Sequence, residues 1–297
     1  MTNPDKIQSG SSFKKTLPGL IVSLGAFIIL FYLIDLDSFV NALRFADYSK
    51  LPIVIVLFLG TILARAIAWR TILQEKISFP RSFWTLNEGY LFNNILPFRL
   101  GEVARAFLLN KTNHIPFWEV ISTIMIERIF DVAILAGVLL GTIPFVIGAE
   151  WAVQAANGGA VIVLIGFAVL YWLARNPGSA LKLFRKLTRP WPKFTEIGQE
   201  KVYSFLKGLT ALTSFRKFVT VLFWLLVTWG FNIAWYAILL EAFSPGVPLI
   251  GAVFTVGAIA VGVSAPSSPA YIGVFEAAAV GALVLFDVKP DVALAYA

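Results

Sequence analysis

The sequence predicts an all-α integral membrane protein, a polytopic helical bundle with about six to seven spans. Hydrophobic residues make up 58% of the chain and charged residues 14%, with a mean hydropathy of +0.80; soluble proteins carry about 25% charged residues. Several stretches of roughly 18 residues or more lack any charge, a length that crosses a hydrocarbon core about 30 Å thick. They show no strand-like alternation and are too long for barrel strands. The charge-free stretches are Leu17–Ile34, Val132–Ala149, Trp151–Ala174, Phe218–Leu240 and Ala242–Phe275.

The distribution of basic residues predicts a single transmembrane domain, residues 1–297, in the cytoplasmic (inner or plasma) membrane. Three lysines lie in the tail of residues 1–16, which the positive-inside rule places in the cytoplasm. The acidic loop after the first stretch suits the outside, and Leu51–Leu73 then returns to a basic side that begins with Arg65. The segment 175–217 holds ten basic residues against two acidic ones, so we expect cytoplasmic, interfacial helices there. It serves either as a solvated basic linker or as a site for anionic lipid headgroups.

The scarcity of metal-binding residues predicts that the chain needs no metal and no cofactor. It contains no cysteine, and His114 is its single histidine, so a thiolate or histidine metal site lacks ligands. The net charge of +7 is explained by cytoplasmic loops that face anionic lipid, so we expect no nucleic-acid partner.

Two remaining segments, about Ser82–Leu109 and Ala265–Phe286, are interrupted by proline and glycine. "ILPFRLGEVARAF" and "SSPAYIGVFEAAA" share a spacing in which proline, two residues, an aliphatic residue and glycine precede a carboxylate. Such paired interruptions in two halves of a membrane protein indicate re-entrant helices, an inverted repeat and a site near the bilayer midplane. The alternative is that these few matching positions arose by chance.

The first interruption has the chemistry of an anion site. Pro97 cannot donate a backbone hydrogen bond, and a helix that resumes after it directs free N–H groups into the break. Arg99 and Arg105 add positive charge with a geometry that fits phosphate, and Asn93 and Asn94 can satisfy the broken backbone. A lipid phosphate is therefore the anion that we expect.

A second group of charges, "ERIFD", opens onto the stretch Val132–Ala149. Glu127 and Asp131 are four residues apart and share a helix face, which Arg128 flanks. Charges at membrane depth cost about 2.5–3.5 kcal/mol each on insertion scales and usually face partners or a pathway. The cluster and the charges of the first break either only tie two helices together or also contact substrate.

These motifs resemble the lysylphosphatidylglycerol synthase transmembrane-region family, also called the flippase-like domain family. "NNILPFRLGEVARAFLL", "ERIFD" and "SSPAYIGVFE" follow that family's order and spacing over nearly the whole chain. The resemblance implies a bundle with re-entrant helices that moves lipid-linked molecules between leaflets. The matching positions, which with Asn93 form our candidate substrate-binding set, are Asn94, Pro97, Arg99, Gly101, Glu102, Arg105, Glu127, Arg128, Asp131, Pro269, Gly273 and Glu276.

Three departures from the family are visible. Ala270, next to Tyr271, stands where the family usually has glycine, which makes the second break less flexible. The soluble aminoacyltransferase domain of fused members is missing, so no lysyl transfer is expected. Family members also continue past "DVALAYA" into a final span, so the resemblance implies either a chain that ends early or a dispensable last helix.

The leading functional hypothesis is translocation of a phosphate-bearing lipid or lipid-linked carrier by a protein that is not an enzyme. Arg99, Arg105 and Arg128 draw the phosphate, while the carboxylates act as counter-charges that take up protons; we expect the largest losses on changing Arg105 and Glu102. No nucleotide-binding motif is present, so an ion gradient or downhill lipid flow would drive transport. Anionic or phosphate-bearing membrane lipids are the expected partners, and homo-oligomerisation stays open.

Two other functions compete with this one. A membrane glycosyltransferase that uses a lipid-phosphate sugar donor could employ Asp35 and Asp37, which follow the first predicted span. A lipid-binding scaffold without transport is the third alternative; in it, changes to the motifs would alter complexes rather than lipid flux.

Overall fold

Helices form every regular element in the part of the chain that the structure describes. This computed structural model describes residues 23–26, 28, 32, 34–95, 100–146, 150–264 and 268–297. Short 3-10 turns cover Tyr48–Lys50, Leu209–Thr213 and Pro269–Tyr271. The helices are α1 Leu36–Phe45, α2 Leu51–Ile72, α3 Phe79–Ile95, α4 Gly101–Asn113, α5 Phe117–Val146, α6 Glu150–Arg175, α7 Pro177–Thr188, α8 Pro192–Gly208, α9 Phe215–Phe243, α10 Leu249–Gly262, α11 Val274–Val284 and α12 Pro290–Tyr296.

Four of these helices are long and apolar enough to cross a membrane, which confirms the predicted fold class. They are Tyr48–Ile72, Phe117–Val146, Asn157–Arg175 and Phe215–Phe243. The two shorter apolar helices, α10 and α11, follow the predicted pattern of a span and a broken segment. The first predicted span, Leu17–Ile34, lies mostly outside the described residues. The chain is therefore a multi-pass helical membrane protein.

Helix α5 begins earlier than the sequence predicted. The charge-free stretch Val132–Ala149 placed the "ERIFD" cluster at the edge of a span, but the helix already begins at Phe117. Glu127, Arg128 and Asp131 therefore lie inside a continuous helix of 30 residues. Hydrogen bonding within the helix satisfies the backbone whatever the side chains are, so a run of charges need not end a span when other helices supply its partners.

Each broken segment packs through two neighbouring helices. Helix α3 packs against α4, and α10 packs against α11, while the turn Pro269–Tyr271 of the second segment contacts α3. Helices α2 and α9 make the most extensive helix pair in the structure. This arrangement brings the two broken segments to opposite sides of one space, which the α2–α9 pair and α5 complete.

The basic segment 175–217 contains two amphipathic helices, α7 and α8. Leu181, Leu206 and Leu209 from this segment join an apolar cluster with residues of α5, α6 and α9. Exposed residues such as Leu187 and Trp191 lie on the other side. That these helices lie at the cytoplasmic membrane interface stays a prediction, as does the assignment of one domain to the whole chain.

Candidate functional site

Six charged side chains from three helices meet inside the bundle. Their pairs join α2, α4 and α5, so every carboxylate in the group contacts at least one arginine. We call this group the charge network. Its members are Arg65, Glu102, Arg105, Glu127, Arg128 and Asp131.

The inner part of the network is closed to solvent. Arg105 Nη2 lies 2.9 Å from Glu127 Oε2, and both side chains are almost fully buried. The Arg105 guanidinium also stacks 3.9 Å above the ring of Trp69, a buried residue of α2. Arg65 Nε lies 3.4 Å from the second Glu127 oxygen. Glu127 is therefore held between two arginines, and Arg105 holds α4 against α5.

The outer part of the network is more accessible. Arg128 Nε lies 2.7 Å from Glu102 Oε1, and 34% of the Arg128 side chain and 23% of the Glu102 side chain are exposed. Arg128 also lies 3.2 Å from Asp131 Oδ2, and Arg65 pairs with the same carboxylate. Trp229 of α9 donates its indole N–H to Asp131 Oδ1 at 3.2 Å. Arg128 and Glu102 are therefore the pair that a ligand can reach.

Among the described residues the network balances three arginines with three carboxylates. Desolvation makes a buried charge expensive, and removal of one member of a buried pair costs about 3–5 kcal/mol because its partner stays uncompensated. A bound anion therefore competes with these carboxylates for the arginines. The network can act as a counter-ion exchanger.

Two glycines allow the network to form. A Cβ atom on Gly101 would lie 1.9 Å from the backbone oxygen of Gly89, and one on Gly89 would lie 2.5 Å from Arg105 Cγ. Any larger residue at these positions would separate α3 from α4. Asn93 strengthens the contact because its Oδ1 accepts a hydrogen bond of 2.8 Å from the Gly101 N–H. Gly101 and Asn93 thus position the charges that follow them in α4.

A cavity of about 490 Å³ opens beside the outer part of the network. Its charged end consists of Arg65, Glu102 and Arg128. Neutral polar side chains continue the wall, namely Thr61, Tyr90, Asn93, Asn94, Thr228, Trp229 and Asn232. The remaining wall is apolar or aromatic and includes Phe58, Ile62, Tyr236, Val256, Ile259, Val263, Tyr271 and Phe275. Such a cavity combines a polar end with apolar walls in the way that a lipid combines a headgroup with acyl chains.

The predicted site residues divide into three groups. Those of "ERIFD", together with Glu102 and Arg105, meet in the charge network, as expected for helices tied together by ion pairs. Asn93 and Asn94 line the cavity. Pro97 and Arg99 lie outside the described residues.

The second broken segment supplies cavity wall rather than charge. Tyr271 and Phe275 line the cavity, but Glu276 does not join the network. Its Oε2 accepts a hydrogen bond of 2.6 Å from the N–H of Gly273, whose φ is +86°, and this contact caps α11. Pro269 begins the preceding turn, in which Ala270 has a φ of +58°.

Sequence reasoning missed two residues of the site and misplaced a third. Arg65 was expected to flank α2 on its basic side, and this was wrong, because it pairs with Glu127 and Asp131 inside the bundle. The position of Arg65, seven residues before the end of the long helix α2, was the available signal. Trp229 and Asn232 of α9 were not predicted, since neither carries a charge that interrupts its span.

Two aspartates, Asp35 and Asp37, supported the glycosyltransferase alternative. Asp35 has a structural role. Its carboxylate accepts hydrogen bonds from the Ser38 hydroxyl at 2.8 Å and the Asp37 N–H at 3.3 Å, which caps α1. These bonds hold the pKa of the Asp35 carboxyl below its usual range. The Asp35 N–H donates in turn to Asp291 at 2.7 Å, which ties α1 to α12. Helix capping thus accounts for an acidic residue at this position.

Comparison with known proteins agrees with this architecture. A UPF0104 membrane protein of Methanothermobacter thermautotrophicus is 26% identical over 149 residues. That alignment covers 50% of this chain and 44% of the relative, so the chain spans less than half of the relative's length. No solved structure matches the chain. The family pattern of the lysylphosphatidylglycerol synthase TM region matches residues 17–297. Helices α3 and α4, the second broken segment and the apolar spans all fall within that match. The chain belongs to this family.

Proposed function

We propose that the protein translocates a phosphate-bearing lipid or lipid-linked carrier across the cytoplasmic membrane, with its N-terminus inside. The observation that carries this proposal is the cavity, which joins the accessible Arg128–Glu102 pair to apolar walls within a bundle of membrane-spanning helices. The phosphate would bind at Arg128, and the acyl chains would follow the apolar wall. Arginine suits this role because its guanidinium forms paired hydrogen bonds with phosphate oxygens.

An exchange of counter-ions at Arg128 provides a physical mechanism for the transport step. The charged groups that surround Arg128 are Glu102 of α4, Glu127 and Asp131 of α5, and Arg65 of α2. Glu127 and Asp131 keep arginine partners when Arg128 is occupied, whereas Glu102 has Arg128 alone among the described residues. A phosphate that reaches Arg128 displaces Glu102 from it, and the return of Glu102 to Arg128 expels the phosphate.

Lipid scrambling in proteoliposomes tests the proposal. Vesicles that contain the protein and a fluorescent phosphate-bearing lipid are treated with an impermeant quencher, and the rate of quenching of the inner-leaflet lipid is measured. We expect Arg128→Gln to slow translocation by about tenfold or more, because a charge-assisted phosphate contact is lost. Arg44→Gln is the matched control, since Arg44 is an exposed arginine at the end of α1.

A double variant keeps the test valid if the single change impairs folding. Arg128→Gln combined with Glu102→Gln removes one positive and one negative charge, so the rest of the network keeps its balance. We expect the double variant to fold and to lack translocation. Translocation at the wild-type rate by this folded variant would contradict the proposal.

Removal of the Glu102 charge tests the exchange step separately. Because Glu102 competes with the phosphate for Arg128, Glu102→Gln should bind the phosphate-bearing lipid more tightly than the wild type does. It also lacks the carboxylate that expels the phosphate, so its translocation should be slower. A Glu102→Gln variant with the affinity and the translocation rate of the wild type would contradict the exchange step.

A further inference from the structure

Asn232 is an amide inside the long apolar helix α9, and it lines the cavity. It lies near the middle of Phe215–Phe243 and is half-buried. No hydrogen bond to its side chain is formed by any residue that the structure describes. A polar group at membrane depth is costly unless its hydrogen bonds are satisfied. The Asn232 amide therefore has hydrogen-bonding capacity that a ligand in the cavity can use.

The packing of α2 against α9 places Asn232 next to the charged end of the cavity. The ring of Phe58 contacts that of Trp235 at 5.9 Å, and a Cβ atom on Gly60 would lie 3.2 Å from the ring of Phe231. Asp131 bridges Arg65 and Trp229. These contacts run in opposite directions along the two helices, so the pair is antiparallel.

Asn232 therefore lies between two layers of the cavity wall. Arg65 and Trp229 form the charged layer, and Phe58 and Tyr236 form an aromatic layer further along the two helices. A helix rises about 1.5 Å per residue, so Asn232 lies roughly 4.5 Å along the α9 axis from Trp229. Asn232 is thus about one helical turn from Trp229, whose indole contacts Asp131, a partner of Arg128.

The neutral polar side chains around this layer differ in whether their hydrogen-bonding groups are already used within the protein. The hydroxyl of Thr228 donates to the Trp224 carbonyl at 2.8 Å, and that of Thr61 donates to the Leu57 carbonyl at 3.1 Å. The amides of Asn232 and Asn94 make no hydrogen bond within the described residues, and both line the cavity. The two asparagine side chains therefore offer both donors and acceptors to a bound molecule.

We propose that Asn232 determines headgroup specificity by hydrogen-bonding to an uncharged, hydroxyl-rich group attached to the phosphate, such as a polyol or a sugar. This inference rests on the proposed function for the position of the phosphate at Arg128. A hydroxyl both donates and accepts, as an amide does, so the two are complementary. An ammonium headgroup only donates hydrogen bonds, so it leaves the amide N–H of Asn232 without an acceptor. A bare phosphate offers the amide oxygen no donor.

Binding of four lipids with identical acyl chains tests the inference. Phosphatidylinositol carries a phosphate and a polyol, phosphatidic acid a phosphate alone, phosphatidylethanolamine a phosphate and an amine, and glucosyl diacylglycerol a sugar without phosphate. Their affinities for the purified full chain are measured by native mass spectrometry and by the rise in thermal unfolding temperature. We expect the wild type to bind phosphatidylinositol about tenfold more tightly than phosphatidic acid, a factor equivalent to about 1.4 kcal/mol.

The variant Asn232→Leu should remove that preference. Its affinity for phosphatidylinositol should fall to that for phosphatidic acid, while its affinity for phosphatidic acid should stay unchanged because Arg128 is intact. Asn157→Leu is the matched control, since Asn157 is an exposed asparagine of the membrane helix α6 that does not line the cavity. It should retain the wild-type preference.

The outcomes separate this inference from the proposed function. Equal binding of phosphatidylinositol and phosphatidic acid by the wild type overturns the inference without reference to any variant. A preference that survives in Asn232→Leu overturns it as well. If the wild type binds glucosyl diacylglycerol but neither anionic lipid, and Asn232→Leu loses that binding, the role of Asn232 stands while the phosphate site at Arg128 fails.

Discussion

The two broken segments have the same spacing of proline and glycine, yet they supply different parts of the site. In the first, α3 and α4 approach until the Gly89 backbone touches Gly101, and the charges that follow enter the network. In the second, Glu276 caps its own helix and only aromatic side chains reach the cavity. A repeated backbone pattern can therefore serve two purposes, because the side chains after the glycine decide what each copy contacts.

Among changes to either segment, we expect a substitution of Arg105 to lower the free energy of unfolding most. Arg105→Met leaves the buried Glu127 with only the 3.4 Å contact to Arg65, so we expect the free energy of unfolding to fall by about 3–5 kcal/mol. Unfolding in mixed detergent and SDS micelles measures it. Arg44→Met, at an exposed arginine, should change it by less than about 0.5 kcal/mol. A loss below about 1 kcal/mol for Arg105→Met would mean that Arg105 is not a structural ion-pair partner.

The structure thus changes the residue that we would alter first to test transport. The sequence favoured Arg105 and Glu102, but Arg105 lies in the closed, inner part of the network and does not line the cavity. A loss of transport in an Arg105 variant would be hard to distinguish from a loss of folding. Arg128 and Glu102 are accessible and give an interpretable result.

Close packing of the first segment predicts the next largest effect. Gly101→Ala would place a methyl group 1.9 Å from the Gly89 oxygen, so α3 and α4 must separate. Overpacking of this kind costs about 1–3 kcal/mol, and sometimes more. The matched control is Gly281→Ala in α11, where nothing lies within 4 Å of the added Cβ. The same unfolding assay should show a loss for the first variant only, and equal effects would contradict the close contact between α3 and α4.

Sequence patterns predicted the spans better than the site, for a physical reason. Hydrophobic length is a local property, so α2, α6 and α9 fell close to their predicted bounds. The partners of a charge are not local. Nothing near Arg65 in the sequence indicates that it contacts Asp131, 66 residues away.

Neutral site residues were harder still to predict. Asn232 interrupts no hydrophobic run and belongs to no motif, so only the packing of α9 against α2 shows that it lines the cavity. The "ERIFD" residues could be recognised because charge is rare in such a chain. Polar but uncharged residues of a membrane helix give no comparable signal.

Loss of the hydrogen bond that caps α11 in the second segment should have a smaller effect on stability. This effect can be measured separately from translocation. Glu276→Ala removes the acceptor for the Gly273 N–H and should lower the free energy of unfolding by about 1 kcal/mol. Glu276→Gln keeps an acceptor in place, so its stability should stay near that of the wild type. Neither change should alter translocation, because Glu276 lies outside the charge network and the cavity. A Glu276→Gln variant with normal stability but no translocation would give the second segment a direct part in the transport step.

A substitution in the turn of the second segment should have the smallest effect on the free energy of unfolding. It should raise this free energy, whereas the changes above lower it. Ala270 has a φ of +58°, a left-handed conformation that costs a residue with a Cβ about 1–2 kcal/mol. Glycine removes this cost but makes the unfolded chain more flexible, which returns about 0.4–1 kcal/mol. Ala270→Gly should therefore raise the free energy of unfolding by up to about 1 kcal/mol. Ala277→Gly, inside the helix α11, should lower it by about 1 kcal/mol. If both substitutions destabilise the protein equally, the turn at Ala270 is not left-handed in the membrane.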